Sequence, residues 1–188
     1  MTKILDTANV TWLLLGILAL LALWLWYRRR AVGDRLRQVL DEIGYDRVDG
    51  LVVPDSDDGE IQIDFLLLTS QGLLILHIKD VQGTVFGSDK MQDWTVISED
   101  GRFTFANPQH ALYDRVAAVR QIVRQVPVEG RVLFTDGAEF TKGTPSMVCG
   151  LDELAAEFGE SDKAAATRKI EAFKPHWELI LKNAHVGV

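Results

Sequence analysis

The sequence predicts a mixed α/β fold, a sheet with helices packed against it, behind one N-terminal membrane-spanning helix. Three observations predict it. Residues 10–27, VTWLLLGILALLALWLWY, are eighteen residues without a charge. Residues 59–70 (GEIQIDFLLLTS) and 73–80 (LLILHIKD) are two largely apolar runs separated by a Ser70-Gln71-Gly72 turn. Such a pair reads as a central hairpin covered on both faces. Residues 108–126 space their apolar side chains as a helix with one buried stripe.

Taken in order, residues 1–9 form a short N-terminal segment and 10–27 the membrane span. At ~1.5 Å per residue the span is roughly 27 Å long, close to the ~30 Å hydrocarbon core of a bilayer. Trp12 marks one end, and Trp24, Trp26 and Tyr27 the other, where an interfacial aromatic belt would lie. Arg28, Arg29 and Arg30 follow at once, which places the body in the cytoplasm behind a single pass of the cell (inner) membrane. A cleaved signal peptide would carry its charge before the run and a small-residue cleavage site after it; here Lys3 and the terminal amine precede the run, but the dense charge follows it and no A-x-A site appears.

Residues 31–44 place Val32, Leu36, Val39, Leu40 and Ile43 at helical spacing, with Gly33 a candidate break and Gly44 a stop. VDGLVVPD is a short strand, and the hairpin follows. QGTVFG continues or turns away. DWTVIS and RFTFANP, split by Glu99-Asp100-Gly101, form a second, more exposed hairpin. Asn107 caps the helix of 108–126, Pro108 suits its first turn, and Pro127 ends it. Its stripe is Leu112, Tyr113, Val116, Val119, Ile122, Val123 and Val126. RVLFTD and PSMVCG are short strands. Residues 151–158 are a short helix. Ser161 caps another through Phe173, and Trp177, Ile180 and Leu181 continue an apolar face after Pro175.

The chain has 20 basic and 27 acidic residues, net −7. Without Lys3, Arg28 to Arg30 and Asp6, residues 31–188 keep 16 basic and 26 acidic, net −10. A body this acidic is a poor general polyanion binder, so any nucleic-acid contact must come from a local patch. The single cysteine, Cys149, cannot form an internal disulfide, which fits a reducing cytoplasm.

The strand pair is where chemistry concentrates. Asp64 lies in the first apolar strand and Lys79 ends the second, and burying a charge there needs a reason. Alternation puts His77 and Lys79 on one face. A carboxylate on one strand and a polar-x-Lys pair on the next can surround a single point. This arrangement resembles the restriction-endonuclease-like core, with an Asp followed on the next strand by Glu-x-Lys (the PD-(D/E)xK superfamily). More closely, the chain resembles the NERD (nuclease-related) domain family. The matching stretches are Gly33-Asp34, Ile63 to Leu67, Gly72 to Ile75, Ile78-Lys79-Asp80, Gly83 to Gly87, Trp94, Asn107-Pro108 and VLFTDGAEF. The resemblance makes 31–150 a NERD-like domain and 151–188 a helical extension packed on it.

The resemblance implies a metal-dependent nuclease acting on DNA. Acidic side chains hold one or two Mg²⁺ ions that activate water for attack on a phosphodiester. Asp64 would be the principal metal ligand and Lys79 the catalytic lysine, with Asp34 where the family has a helix glutamate. The chain departs from the pattern at His77, which stands where Glu-x-Lys has its glutamate. Mg²⁺ prefers hard oxygen ligands, and imidazole is a poor substitute. Glu60 is about 13 Å away along the strand, too far to compensate, and Asp80 points to the opposite face. Ala111 stands where the family's N-P-x-x-Q pattern has glutamine, and Gln109 is two residues early.

Three readings of His77 follow. The site is active with Mn²⁺ in place of Mg²⁺ and His77 as catalytic-site ligand; or it is degenerate, holds no metal, and the domain binds or scaffolds nucleic acid or a protein partner; or His77 is a hydrogen-bonded strand residue. Asp64 has its own alternative, a satisfied carboxylate paired with Lys79. His110, His176 and His185 have no metal-ligand spacing, Cys149 reads as buried, and Trp177 reads as core.

Overall fold

A computed structural model describes residues 7–54, 59–135, 137–160 and 162–186, without the side chains of residues 7–13, 25–32, 163 and 186. The described residues form four helices and ten strands in two mixed sheets. The chain divides into two compact units, residues 1–38 and 39–188.

The first unit holds most of helix α1 (Thr7–Ile43). Its apolar side chains are bare: Leu14, Leu15, Ile17, Leu18, Leu20, Leu21, Leu23 and Trp24 are each at least 54% exposed. Among the described residues no helix is long and apolar enough to cross a membrane. Of the expected span, the side chains of residues 10–13 and 25–27 lie outside the described residues, as do residues 1–6. Gly33 sits inside α1 rather than breaking it, and Gly44 stops the helix as expected, its N–H bonding the Leu40 carbonyl at 2.9 Å.

In the second unit, strands β1 (Asp46–Pro54), β2 (Glu60–Thr69) and β3 (Gly72–Lys79) form an antiparallel meander. The Ser70-Gln71 turn is held by Thr69, whose hydroxyl donates to the Gly72 carbonyl and accepts from the Gln71 N–H. The chain then leaves this sheet. Strands β4 (Gly83–Phe86), β5 (Asp93–Ser98) and β6 (Gly101–Ala106) start a second one. Helix α2 (Pro108–Ile122) returns it to β7 (Val128–Phe134), which pairs parallel with β3. Strand β8 (Ala138–Glu139) joins the second sheet. Strand β9 (Val148–Cys149) adds to β7, and helices α3 (Leu151–Phe158) and α4 (Lys163–Asn183) follow. Strand β10 (His185–Val186) closes on β1. The sheet orders are β10-β1-β2-β3-β7-β9 and β6-β5-β4-β8.

Two sheets replace the single one expected. The edge of β3 that β4 could have taken is occupied by β7, so β4 to β6 pair among themselves. They are tied to the core by Trp94, fully buried, with its ring centroid about 6 Å from those of Phe105, Phe134 and Phe140. The second hairpin is exposed along β6 and at Asp93 and Ile97 of β5; Val96 and Trp94 on β5 are buried.

Helix α2 begins as expected: Asn107 accepts from the Gln109 N–H at 3.0 Å and Pro108 occupies the first turn. It ends at Ile122 rather than Val126. Val123 is already extended, and the chain must reach β7 at Val128 beside Leu73. Tyr113 is exposed, lying about 100° round the helix from Leu112. Gly130 lets α2 lie close on β7, since a Cβ there would come within 2.9 Å of Leu112 and Val116. Helix α4 runs unbroken through Pro175. Ile170 before it and Trp177 and Ile180 after it are buried, and that burial outweighs one missing hydrogen bond. Its cap is Asp162, accepting from the Ala164 and Ala165 N–H groups; Ser161 lies outside the described residues.

Candidate functional site

The site lies at the open end of the β2–β3 hairpin. From the turn the register runs Leu68 opposite Leu73 to Phe65 opposite Leu76, which carries Asp64 to the neighbourhood of His77. Their side chains meet: His77 Nδ1 lies 2.6 Å from Asp64 Oδ2. Lys79 follows two residues on, on the same face as His77. On the other side of β2, Gly50 sits between the pairs Asp49–Phe65 and Leu51–Ile63, across from Asp64. Its φ of 67° is a left-handed conformation that glycine adopts freely, and it brings no side chain over the carboxylate. Asp64 stays 31% exposed and His77 14%.

Burial opposes ionisation of Asp64. Burial is the largest single influence, but the His77 hydrogen bond, the charges of His77 and Arg115 and a bond from the Ile78 N–H together outweigh it and hold the carboxyl below its ordinary range. Asp64 is therefore a carboxylate, and its partner is His77 rather than Lys79. The Lys79 ammonium lies 5.8 Å from the centroid of the half-buried Phe105 ring, within cation–π range, and makes no ion pair among the described residues.

Arg115 on α2 was not foreseen. Its Nε donates to the Gln62 carbonyl at 2.7 Å, while Nη1 is buried without a hydrogen-bond partner. Its signal in the sequence is its position, three residues after Leu112 and four before Val119, a charge set into an apolar stripe. Ala111, one turn earlier, is exposed. Gln109 is nearly fully buried and serves the loops instead: Nε2 donates to Asp89 Oδ1, and Oε1 accepts from the Met147 N–H. Asp80 accepts from the Thr135 hydroxyl, and Glu60 lies 3.7 Å from His185, so neither reinforces Asp64.

The metal implied by the sequence resemblance does not fit this donor set. Among the described residues no group of three or more His, Cys, Asp or Glu side chains could hold a metal ion. Asp64 and His77 spend a donor atom each on one another. Asp34 is exposed on α1, in the first unit. An octahedral, oxygen-preferring ion finds one carboxylate here.

A family model, the nuclease-related domain, matches residues 25–135. The chain belongs to the NERD family. An uncharacterised protein of Bacillus anthracis is 25% identical over 91 residues, which cover 48% of this chain and 43% of that protein. The chain thus spans less than half the length of that relative. No solved structure matches.

Asp34, Asp64, His77, Lys79 and Arg115 all lie within the matched NERD segment. Cys149 lies beyond it, 4% exposed, on an open cleft of about 410 Å³ at the C-terminal ends of β7 and β9. Burial pushes its thiol up to about 12, against the pull of the Arg131 charge, so it is protonated at neutral pH and no nucleophile. Trp177 is core, as expected, with its Nε1 donating to Asp46 at 2.9 Å.

Proposed function

We propose that the chain is a membrane-tethered NERD domain that meets nucleic-acid phosphate at the open end of the β2–β3 hairpin, its metal cage lost. One observation carries this reading: the residue standing in place of the family glutamate spends itself on Asp64, at 2.6 Å. The Arg115 charge acts on that carboxylate while its buried Nη1 has no hydrogen-bond partner, and Lys79, two residues beyond His77 on the same strand, makes no ion pair among the described residues. In a body of net −10 this is the kind of local patch that phosphate contact requires. Tethering is supported by the bare apolar side chains of residues 14–24 and by the arginines that follow the run. It confines the domain to nucleic acid that reaches the cytoplasmic face.

The test is calorimetry on the full-length chain in detergent micelles, with Mg²⁺ and then Mn²⁺, and Asp64→Ala as control. Neither ion should bind, while a labelled single-stranded DNA should bind more weakly as salt rises. Ion binding that disappears in Asp64→Ala sinks the reading. It would favour the second one, a metal-dependent DNA nuclease with His77 as variant ligand, which the retention of Asp64 and Lys79 at one strand end supports. Recovery of the full-length chain in the soluble fraction of cells would sink the tether. A domain that binds neither ion nor DNA would point to a protein partner at the membrane.

A further inference from the structure

We infer that β6 is a homodimer interface: two copies of the chain pair edge to edge through residues 102–106, antiparallel across a two-fold axis, with Thr104 of one copy opposite Thr104 of the other. Nothing in it depends on phosphate binding at the β2–β3 end.

Four strands end the two sheets. Strands β8, β9 and β10 are two residues long each, and β6 has six. Sheet edges are ordinarily blunted by short strands, bulges, proline or lysine, because a bare edge is a template for another strand. Strand β6 has none of these. Its register on β5 is unbroken from Gly101 to Ala106, its only charge is Arg102, and every residue but Phe105 is exposed.

The hairpin decides which backbone groups are free. The Asn107 N–H bonds the Gln92 carbonyl at 2.7 Å, which marks a hydrogen-bonded pair. Such pairs alternate with unbonded ones along an antiparallel ladder. Phe105, Phe103 and Gly101 therefore bond to β5, while Ala106, Thr104 and Arg102 turn their N–H and C=O groups outward. Among the described residues no hydrogen bond to another segment uses those groups.

Antiparallel pairing centred on Thr104 uses all of them. It sets Thr104 against Thr104 and, on either side, Arg102 against Ala106, each pair exchanging two hydrogen bonds. The side chains agree with this register. Phe103 and Phe105 lie opposite Val96 and Trp94, on the buried face of the sheet, with ring centroids 6.2 Å apart. In the dimer Phe103 of one copy opposes Phe105 of the other at an unbonded position, where side chains come closest. Phe103, 47% exposed in one copy, is covered by the second. The Arg102 charge meets Ala106, and the two Arg102 residues stand about 13 Å apart along the strands. Any extended peptide could take the hydrogen bonds; the row of four rings and the separation of like charges single out a second copy. An edge of about 20 Å is short for a permanent interface, so association is reversible.

The experiment uses the full-length chain in detergent micelles, sedimented at rising protein concentration and oxidised after single cysteine replacements. Expected is a monomer–dimer equilibrium that Thr104→Pro weakens about tenfold or more. That replacement removes both bonds of the central pair, and the β5 ladder does not use the lost N–H. Thr104→Lys sets like charges face to face and should weaken association too, without proline's risk to the fold. Thr104→Cys should link to itself, since facing Cα atoms about 5.5 Å apart suit a disulfide. Arg102→Cys alone should not link, but should link to Ala106→Cys when the two are mixed. The native Cys149 is buried and stays out of the reaction. A chain that is monomeric throughout, with Thr104→Cys unlinked, overturns the inference and leaves the edge to an extended peptide. Dimers that survive both Thr104→Pro and Thr104→Lys, or that link Arg102→Cys to itself as readily as Thr104→Cys, overturn it as well and move the contact to another surface.

Discussion

The two ends of the β2–β3 hairpin use the same pair of strands for opposite purposes. Near the turn, Leu66, Leu67, Leu68, Leu73, Leu74 and Ile75 are at most 1% exposed, on both faces of the sheet. At the open end, Asp64, His77 and Lys79 follow on the same strands, partly exposed and polar. The dry end fixes register, because a slip of one residue would turn each leucine to the other face and bring a charge into the core. That register is what sets Asp64 against His77. The wet end can carry a paired carboxylate and unpaired cations because the dry end supplies the stability.

The largest way to break this contrast is at the dry end. Leu66→Ala removes a fully buried side chain and should cost about 2–5 kcal/mol, read by urea unfolding of the full-length chain in micelles. A loss below 1 kcal/mol would mean the turn half is not the anchor of the register. The next effect belongs to the wet end. His77→Glu would face Asp64 with a second carboxylate and lose its hydrogen bond, for about 1–3 kcal/mol. Mn²⁺ should restore stability to this variant and leave the wild type unmoved. Equal stabilisation of both by Mn²⁺ would show that the natural site already holds the ion.

The pH dependence is smaller and has a definite sign. Asp64 is held below its ordinary range in the folded chain. Its contribution is therefore fully present above the unfolded carboxylate value of about 3.9 and is lost as pH falls through the folded value. The stability gap between wild type and Asp64→Asn should be widest near neutrality and close in acid. A gap that widens in acid contradicts the pairing. Least of all in energy is Cys149, which belongs with the dry side: at pH 8 iodoacetamide should label it slowly in the folded chain and fast in urea. Rapid labelling of folded protein would place the thiol outside the core.

Much of this was legible because it is local. Alternation along a strand, a two-residue turn, the Asn107 cap with Pro108, the bounds of α3 and the burial of Trp177 each depend on a few neighbouring residues. The lost glutamate at His77 was equally plain, since a motif shows its own defect. The break at Pro175 was misread because local propensity yielded to Ile170, Trp177 and Ile180, whose burial holds one unbroken helix. Strands β8 and β10 are two residues long, too short to show a period.

What the sequence determined by itself was the alternation that gives the hairpin its dry and wet ends, the acidity of the body, and the presence of Asp64, His77 and Lys79 on neighbouring strands. Only the tertiary structure decided who partners whom. Asp64 could have taken Lys79; it took His77, thirteen residues away, because the register brought Nδ1 to its oxygen. Arg115 reached the same neighbourhood from α2, fifty-three residues from the Gln62 carbonyl it grips, because Gly130 let that helix lie close to the sheet. Hydrogen bonds and charge pairs act over a few ångströms in space, and a linear chain carries no record of which distant residues its packing will bring within that reach.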